Sequence, residues 1–83
     1  MQLNPEFTYC VDIYDIKLVN REKGIQFCLS YPQAAIFDLL LKGYNRKMIV
    51  RMLIHIAHMT ETHAEHLLED TLIDFQNKNM ISG

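Results

Sequence analysis

At 83 residues the chain is one small domain, able to bury a single core and little more. Its 49% hydrophobic content excludes a disordered chain, and no apolar run reaches the roughly 18 residues of a membrane helix. A net charge of −2, from 8 Lys+Arg against 10 Asp+Glu, argues against a phosphate-binding surface and hence against nucleic acid.

The first ten residues, MQLNPEFTYC, lack a basic region followed by an apolar core. They do not read as a signal peptide, so the expected location is cytoplasmic. Residues 1–6 read as a loose lead-in, with Pro5 discouraging regular pairing. Phe7, Tyr9, Val11 and Ile13 alternate with Thr8, Cys10 and Asp12, the period of a half-buried first strand. The phase then slips, with Tyr14, Ile16 and Leu18 apolar against Asp15 and Lys17. A slip of one residue swaps faces, which predicts a bulge or tight bend near Ile13–Tyr14 and a second strand over 14–19. Asn20-Arg21-Glu22-Lys23-Gly24 is a polar turn, with Gly where positive φ is needed.

Ile25, Phe27 and Leu29 alternate with Gln26, Cys28 and Ser30, predicting a third strand over 25–29. Cys10 and Cys28 thus fall on different strands. A cross-strand disulfide is conceivable, but two buried thiols are the expected state of a cytosolic chain. There is no CxxC pair for redox or zinc chemistry.

At Ser30 the period changes from two to that of a helix. Ser30-Tyr31-Pro32-Gln33 fits a capping box, with Ser30 as N-cap and Pro32 in the first turn. Ala35, Ile36, Leu39 and Leu40 form the inward stripe, and Gly43 offers a C-cap. Asn45 caps a second helix, whose core stripe is Ile49, Leu53, Ile56 and Ala57. Lys47, Arg51, His55 and His58 form its polar face. Met48 and Met52 widen the apolar surface on one flank, Ile54 on the other. The Met48–Met52 flank either packs under the sheet or meets another protein, as a homodimer contact or against a partner enzyme. Thr60 or Thr62 caps a third helix, the latter by a second capping box ending at Glu65. Ala64, Leu67, Leu68, Thr71, Leu72 and Phe75 share its inner face. Ile73 stands alone on the polar side. Asn79 suits a left-handed C-cap, after which Met80 and Ile81 tuck back onto the core.

The expected fold is α+β: one winged-helix-like domain over 1–83, with a three-stranded antiparallel sheet over 7–29 and three helices over 30–81.

Catalytic signals are weak. His55, His58, His63 and His66 form two i, i+3 pairs, a spacing that can hold a metal. Both pairs fall on polar helix faces with no cysteine near, so solvated side chains are the expected state and no metal is assigned. Ser30 and Ser82 lack a base at a telling spacing, and there is no Gly-rich phosphate loop. No enzyme activity and no cofactor are expected. Winged helices often bind DNA, but the third helix carries Glu61, Glu65, Glu69, Asp70 and Asp74, which would repel phosphates.

From Ile16 to Ile81 the pattern resembles the PqqD-like family of small peptide-binding domains, also called RiPP recognition elements. The matching residues are the turn NREKG, the strand-to-helix run LSYPQA, the helix IFDLL, the turn GYN, Ile49 and Leu53, Thr60, and the closing helix LLEDTLIDFQNKNMI. Lys42-Gly43 stands where the family usually has Asp-Gly. The resemblance implies a non-catalytic module that binds the leader segment of a ribosomally made precursor and presents it to a modifying enzyme, often a radical enzyme. The implied site is the third strand, Ile25, Gln26, Phe27, Cys28 and Leu29, with Leu67, Asp70, Thr71 and Asp74 as the helical wall. The physics agrees: an exposed strand edge offers unpaired N–H and C=O groups to an extended peptide. The alternatives are a generic protein-interaction domain and, less favoured, a winged-helix DNA-binding regulator.

Overall fold

The computed structural model describes residues 2–13 and 15–82. Eight elements follow in order: β1 (Gln2–Leu3), β2 (Thr8–Val11), β3 (Ile16–Asn20), β4 (Ile25–Leu29), α1 (Gln33–Leu41), α2 (Arg46–His55), α3 (Glu61–Asn77) and β5 (Ile81–Ser82). The fold is α+β, an antiparallel sheet of order β2-β3-β4 beside three helices. No helix among the described residues is long and apolar enough to cross a membrane.

The sheet follows its sequence closely. Leu18 pairs with Tyr9 on one side and Phe27 on the other, and Ile16 with Val11 and Leu29. Ile16, Leu18 and Leu29 are buried, as their period of two requires. The predicted phase slip is the β2–β3 turn, where Asp12 N–H donates to Asp15 O (2.8 Å). The slip and the strand predicted over 14–19 both included Tyr14, which lies outside the described residues. The β3–β4 turn ends at Gly24 with φ +65°. Asn20 is buried at its start: its Oδ1 accepts from Lys23 N–H (3.2 Å) and its Nδ2 donates to Glu6 Oε2 (3.3 Å).

Several expectations are corrected. The first strand is shorter than 7–13, and its apolar side chains Tyr9, Val11 and Ile13 are exposed. Alternation shows which residues share a face but not whether anything covers that face. Residues 2–3 are not a loose lead-in, because they pair with Ile81 and Ser82. That pairing draws on the far end of the chain, so no local periodicity announces it. Asn4 fixes the junction, its backbone N–H donating to Met80 O (2.9 Å) and its Nδ2 to Asn79 O (2.8 Å).

The helices were legible in placement and less so in phase. α1 begins at Gln33 without a side-chain cap, so Ser30 is not the N-cap. The Ser30 carbonyl instead accepts from Ala34 N–H (2.8 Å). The inner face of α1 is Ala34, Ile36 and Phe37, with Ala35, Leu39 and Leu40 partly covered. Both α1 and α3 close with the same backbone device. Tyr44 N–H reaches Leu39 O (3.1 Å) past Gly43 at φ +86°, and Met80 N–H reaches Phe75 O (2.9 Å) past Asn79 at φ +57°. Asn45 Oδ1 accepts from Met48 N–H (2.9 Å) and Thr60 Oγ1 from His63 N–H (3.2 Å), so Thr60 rather than Thr62 caps α3. α2 buries Ile49 and Leu53 but stops at His55, which leaves Ile56 exposed rather than in the core. Met80 and Ile81 are buried as expected, and Ile73 is exposed.

The core joins all layers. Phe37 and Phe75 meet edge to face with centroids 5.7 Å apart, and Tyr9 meets Phe37 at 6.1 Å. Leu18, Ile36, Ile49, Leu68, Leu72 and Met80 fill the space around them.

Two substitutions test the helix ends. Asn45→Ala removes the α2 cap and costs about 1 kcal/mol. Gly43→Ala meets no atom within 4 Å but must hold φ +86°, at roughly 1–2 kcal/mol. In a domain this small each change lowers Tm by several degrees, read by thermal circular dichroism. An unchanged Tm for Gly43→Ala would show that the turn relaxes.

Candidate functional site

β4 is an edge strand. Its register to β3 runs from Asn20↔Ile25 to Ile16↔Leu29, and among the described residues no strand pairs with its other side. Alternate N–H and C=O groups along that side are therefore available to an extended chain. The edge is reached because the polar turn at Asn20–Gly24 returns the chain antiparallel and Leu29 anchors the strand in the core.

The nine residues of the sequence-expected site fall into distinct environments. Gln26 and Cys28 point to the exposed sheet face, while Ile25 stands at the open end of the inner face. Phe27 is half-buried and Leu29 buried. On α3, Leu67 is half-buried, Asp70 is exposed and Thr71 is buried among core side chains. Asp74 is held by Lys78, Nζ to Oδ2 3.0 Å. The acidic wall expected from Asp70 and Asp74 is thus half neutralised, leaving Asp70 as its unpaired carboxylate among the described residues.

Two residues that sequence reasoning did not assign to the site contact Phe27. The Lys78 ammonium lies 5.2 Å from the Phe27 ring centroid. Phe7 stacks on the same ring, centroids 6.0 Å apart and planes at 26°. Lys78 stands four residues after Asp74, a spacing that puts both on one helix face and was visible in the sequence. The Phe7 contact was not, since it joins residues outside any common element. The structure therefore brings the end of α3 to β4 through Phe27 and Lys78. Four surface depressions form elsewhere, and none of these four is lined by β4. The site is a strand edge rather than an enclosed cavity.

The cysteines also take a defined geometry. Cys10 and Cys28 both pair with Lys17, from opposite sides of β3. Two strand spacings, roughly 9.5 Å, separate them, beyond the ~7 Å Cα limit of a disulfide. Both thiols are exposed, which corrects the expectation that they are buried. Both cysteines pair with the exposed Lys17, which puts them on the exposed face of the sheet.

The four histidines are exposed, and His58 takes φ +56° just after α2. No group of three or more metal-ligating side chains occurs among the described residues. The exposed face of α3 presents Glu61, Glu65, Glu69 and Asp70. Met48 is exposed and Met52 half-buried, so this flank does not pack under the sheet.

No protein-family model matches the chain, and no curated protein matches it. Solved structures do. One, described as TbiB1 in complex with the TbiA(beta) leader peptide, aligns at TM-score 0.93 and 22% identity, over 100% of this chain and 96% of that one. Another, described as lasso peptide synthetase B1 complexed with the leader peptide, aligns at TM-score 0.91 and 21% identity, over 99% and 96%. The likeness spans both chains nearly end to end and establishes the fold.

The thiol geometry gives a direct test. Both cysteines of the native protein should react promptly with a thiol reagent such as DTNB, without denaturant. Oxidation should leave no intramolecular disulfide on mass analysis; finding one would mean that β2 and β4 leave the β3 ladder.

Proposed function

We propose that the chain is a non-catalytic peptide-binding module that adds the leader segment of a ribosomally made precursor to β4 as a further strand. The observation that carries this is the unpaired β4 edge, on a fold shared with two proteins described as complexes with leader peptides. The resemblance of the sequence to PqqD-like recognition elements agrees with it. Residues 1–83 act as one unit in this reading, in the cytoplasm, where precursor and modifying enzyme meet.

Backbone groups of Ile25, Gln26, Phe27, Cys28 and Leu29 supply the ladder. Side chains supply selectivity. Ile25 and Phe27 offer an apolar surface on the inner face, and Phe27 is flanked by Phe7 and Lys78. Leu67 and Asp70 form the helical wall, with Asp74 bound to Lys78 beside them. Thr71 contributes by packing, because its side chain is buried. Asp70 suits a peptide with Lys or Arg near its anchors. The bound peptide is then presented to a modifying enzyme; no step of that chemistry falls to this chain.

The Met48–Met52 flank meets another protein on this reading, either the partner enzyme or a second copy. Met52→Glu should stay folded and weaken that contact, read by sedimentation with and without the enzyme. An unfolded variant would place Met52 in the core, where an unpaired carboxylate costs several kcal/mol.

Peptide addition is tested by proline. Alternate β4 amides donate to β3, so Gln26→Pro and Phe27→Pro probe the two phases of the strand. The variant whose lost N–H faced the open edge should remain folded by circular dichroism and lose binding to a synthetic leader peptide from a precursor encoded nearby. The other should lose stability. Wild-type affinity in both folded variants would sink strand addition. Asp70→Asn should weaken a Lys-containing leader severalfold, and more at low salt than at high.

A further inference from the structure

Around the end of β2, the start of α1 and the end of α2, the fold leaves apolar side chains uncovered. Val11 is 62% exposed, Ile13 83%, Tyr31 64% and Ile56 67%. They are not scattered. Val11, Ile13 and Tyr31 line a shallow depression of about 330 Å³, together with Ala35 and Asp38. Tyr31, Ala35 and Asp38 also line a second, of about 190 Å³, together with Leu39, Met52 and Ile56. Tyr31 is thus a shared wall, and the surface runs without a break from the end of β2 to the end of α2. A continuous apolar surface of this kind on a small domain marks a contact site. None of its residues belongs to β4 or α3, and β2 lies on the opposite side of β3 from β4.

Charge selects the occupant. Asp12, Asp15 and Asp38 border the first depression. Asp38 is already paired, its Oδ2 lying 2.9 Å from Lys42 Nζ. That hydrogen bond, with the Asp38 charge, holds the Lys42 amine protonated above its ordinary range. Asp12 and Asp15 have no cation within salt-bridge distance among the described residues. A second copy docked face to face would bring a second acidic border and no added cation for Asp12 or Asp15 to this interface, and like charges gathered at an interface oppose association. An apolar ridge bordered by cations satisfies both the apolar surface and the free carboxylates. Tyr31 and Ile56, large, apolar and exposed, are suited to anchor it.

We propose that this face docks a second protein through a segment that presents apolar side chains flanked by Lys or Arg. Its ridge lies over Val11, Tyr31 and Ile56, and its cations meet Asp12 and Asp15. The surface stands on its own geometry and does not depend on what β4 binds. Because the β4 edge stays open, a peptide there and a protein here are held at the same time.

Two synthetic helical peptides serve as probes against the whole chain: a Leu/Ile ridge flanked by Lys, and the same ridge flanked by Glu. In fluorescence anisotropy at low salt the Lys-flanked peptide should bind about tenfold more tightly, a difference of about 1.4 kcal/mol. Asp12→Asn with Asp15→Asn should remove the preference. Tyr31→Ser, and separately Ile56→Ser, should weaken both peptides while leaving the circular dichroism spectrum unchanged, since both side chains are exposed. Equal affinity for the two peptides would overturn the proposal, as would binding unaffected by either serine substitution. Self-association of the wild type that Tyr31→Ser abolishes would assign the face to a second copy and overturn it as well.

Discussion

Strand β3 is the one member of the three-stranded sheet with its backbone paired on both sides. The two open edges of the sheet follow from that saturation. Leu18, at the middle of β3, is fully excluded from solvent, and Ile16 nearly so. The register is fixed there, because a shift of one residue would turn both side chains to water. With β3 locked, β2 and β4 each keep one pairing side unused. A sheet this narrow therefore has two different edges on opposite sides of one rigid strand, and their surroundings make them unequal.

Aromatic contacts account for much of the difference. On the β2 side, Tyr9 meets Phe37, which in turn meets Phe75, tying that strand to α1 and α3 near its middle. Beyond Tyr9 the tie ends, so Val11 and Ile13 project past the core. On the β4 side, Phe27 contacts both Phe7 and Lys78. That holds the strand in place while leaving its outer backbone groups unpaired. One edge thus presents backbone chemistry beside a tethered ring, and the other presents exposed side chains with free carboxylates at their border.

The sequence disclosed the features whose causes are local. β4 was readable to its end residues because Gly24 and the switch of period at Ser30 bracket a clean alternation. Asn45, Thr60 and Asn79 were readable because a cap or a left-handed turn needs those side chains at those places. Features decided by distant contacts were not. Tyr9 and Val11 alternate as an inward face would, yet what lies over that face is set by where α1 packs. Ile56 continues the spacing of Ile49 and Leu53, but the helix stops one residue earlier. The phase of α1 was misjudged by assigning Ala35 to the stripe and omitting Phe37, the ring on which the core is centred. At the candidate site the edge strand was legible in full. Leu67, Asp70, Thr71 and Asp74 were legible as neighbours along α3, but burial of Thr71 and neutralisation of Asp74 by Lys78 depend on neighbours that periodicity does not report.

The pairing of β1 with β5 bears on the order in which the molecule assembles. Both hairpins and all three helices close over short stretches of chain, whereas Leu3 and Ile81 meet across nearly the whole length. In an extended chain that closure carries a large entropic cost. The left-handed turn that ends α3 leads directly into the buried Met80 and Ile81, and Phe7 is buried against Phe27. The remaining search is then only that of the few residues before Phe7. The two-residue ribbon is accordingly expected to form last and to open first. Its amides should exchange with solvent through small local openings, while those of β3 wait for the whole domain to unfold.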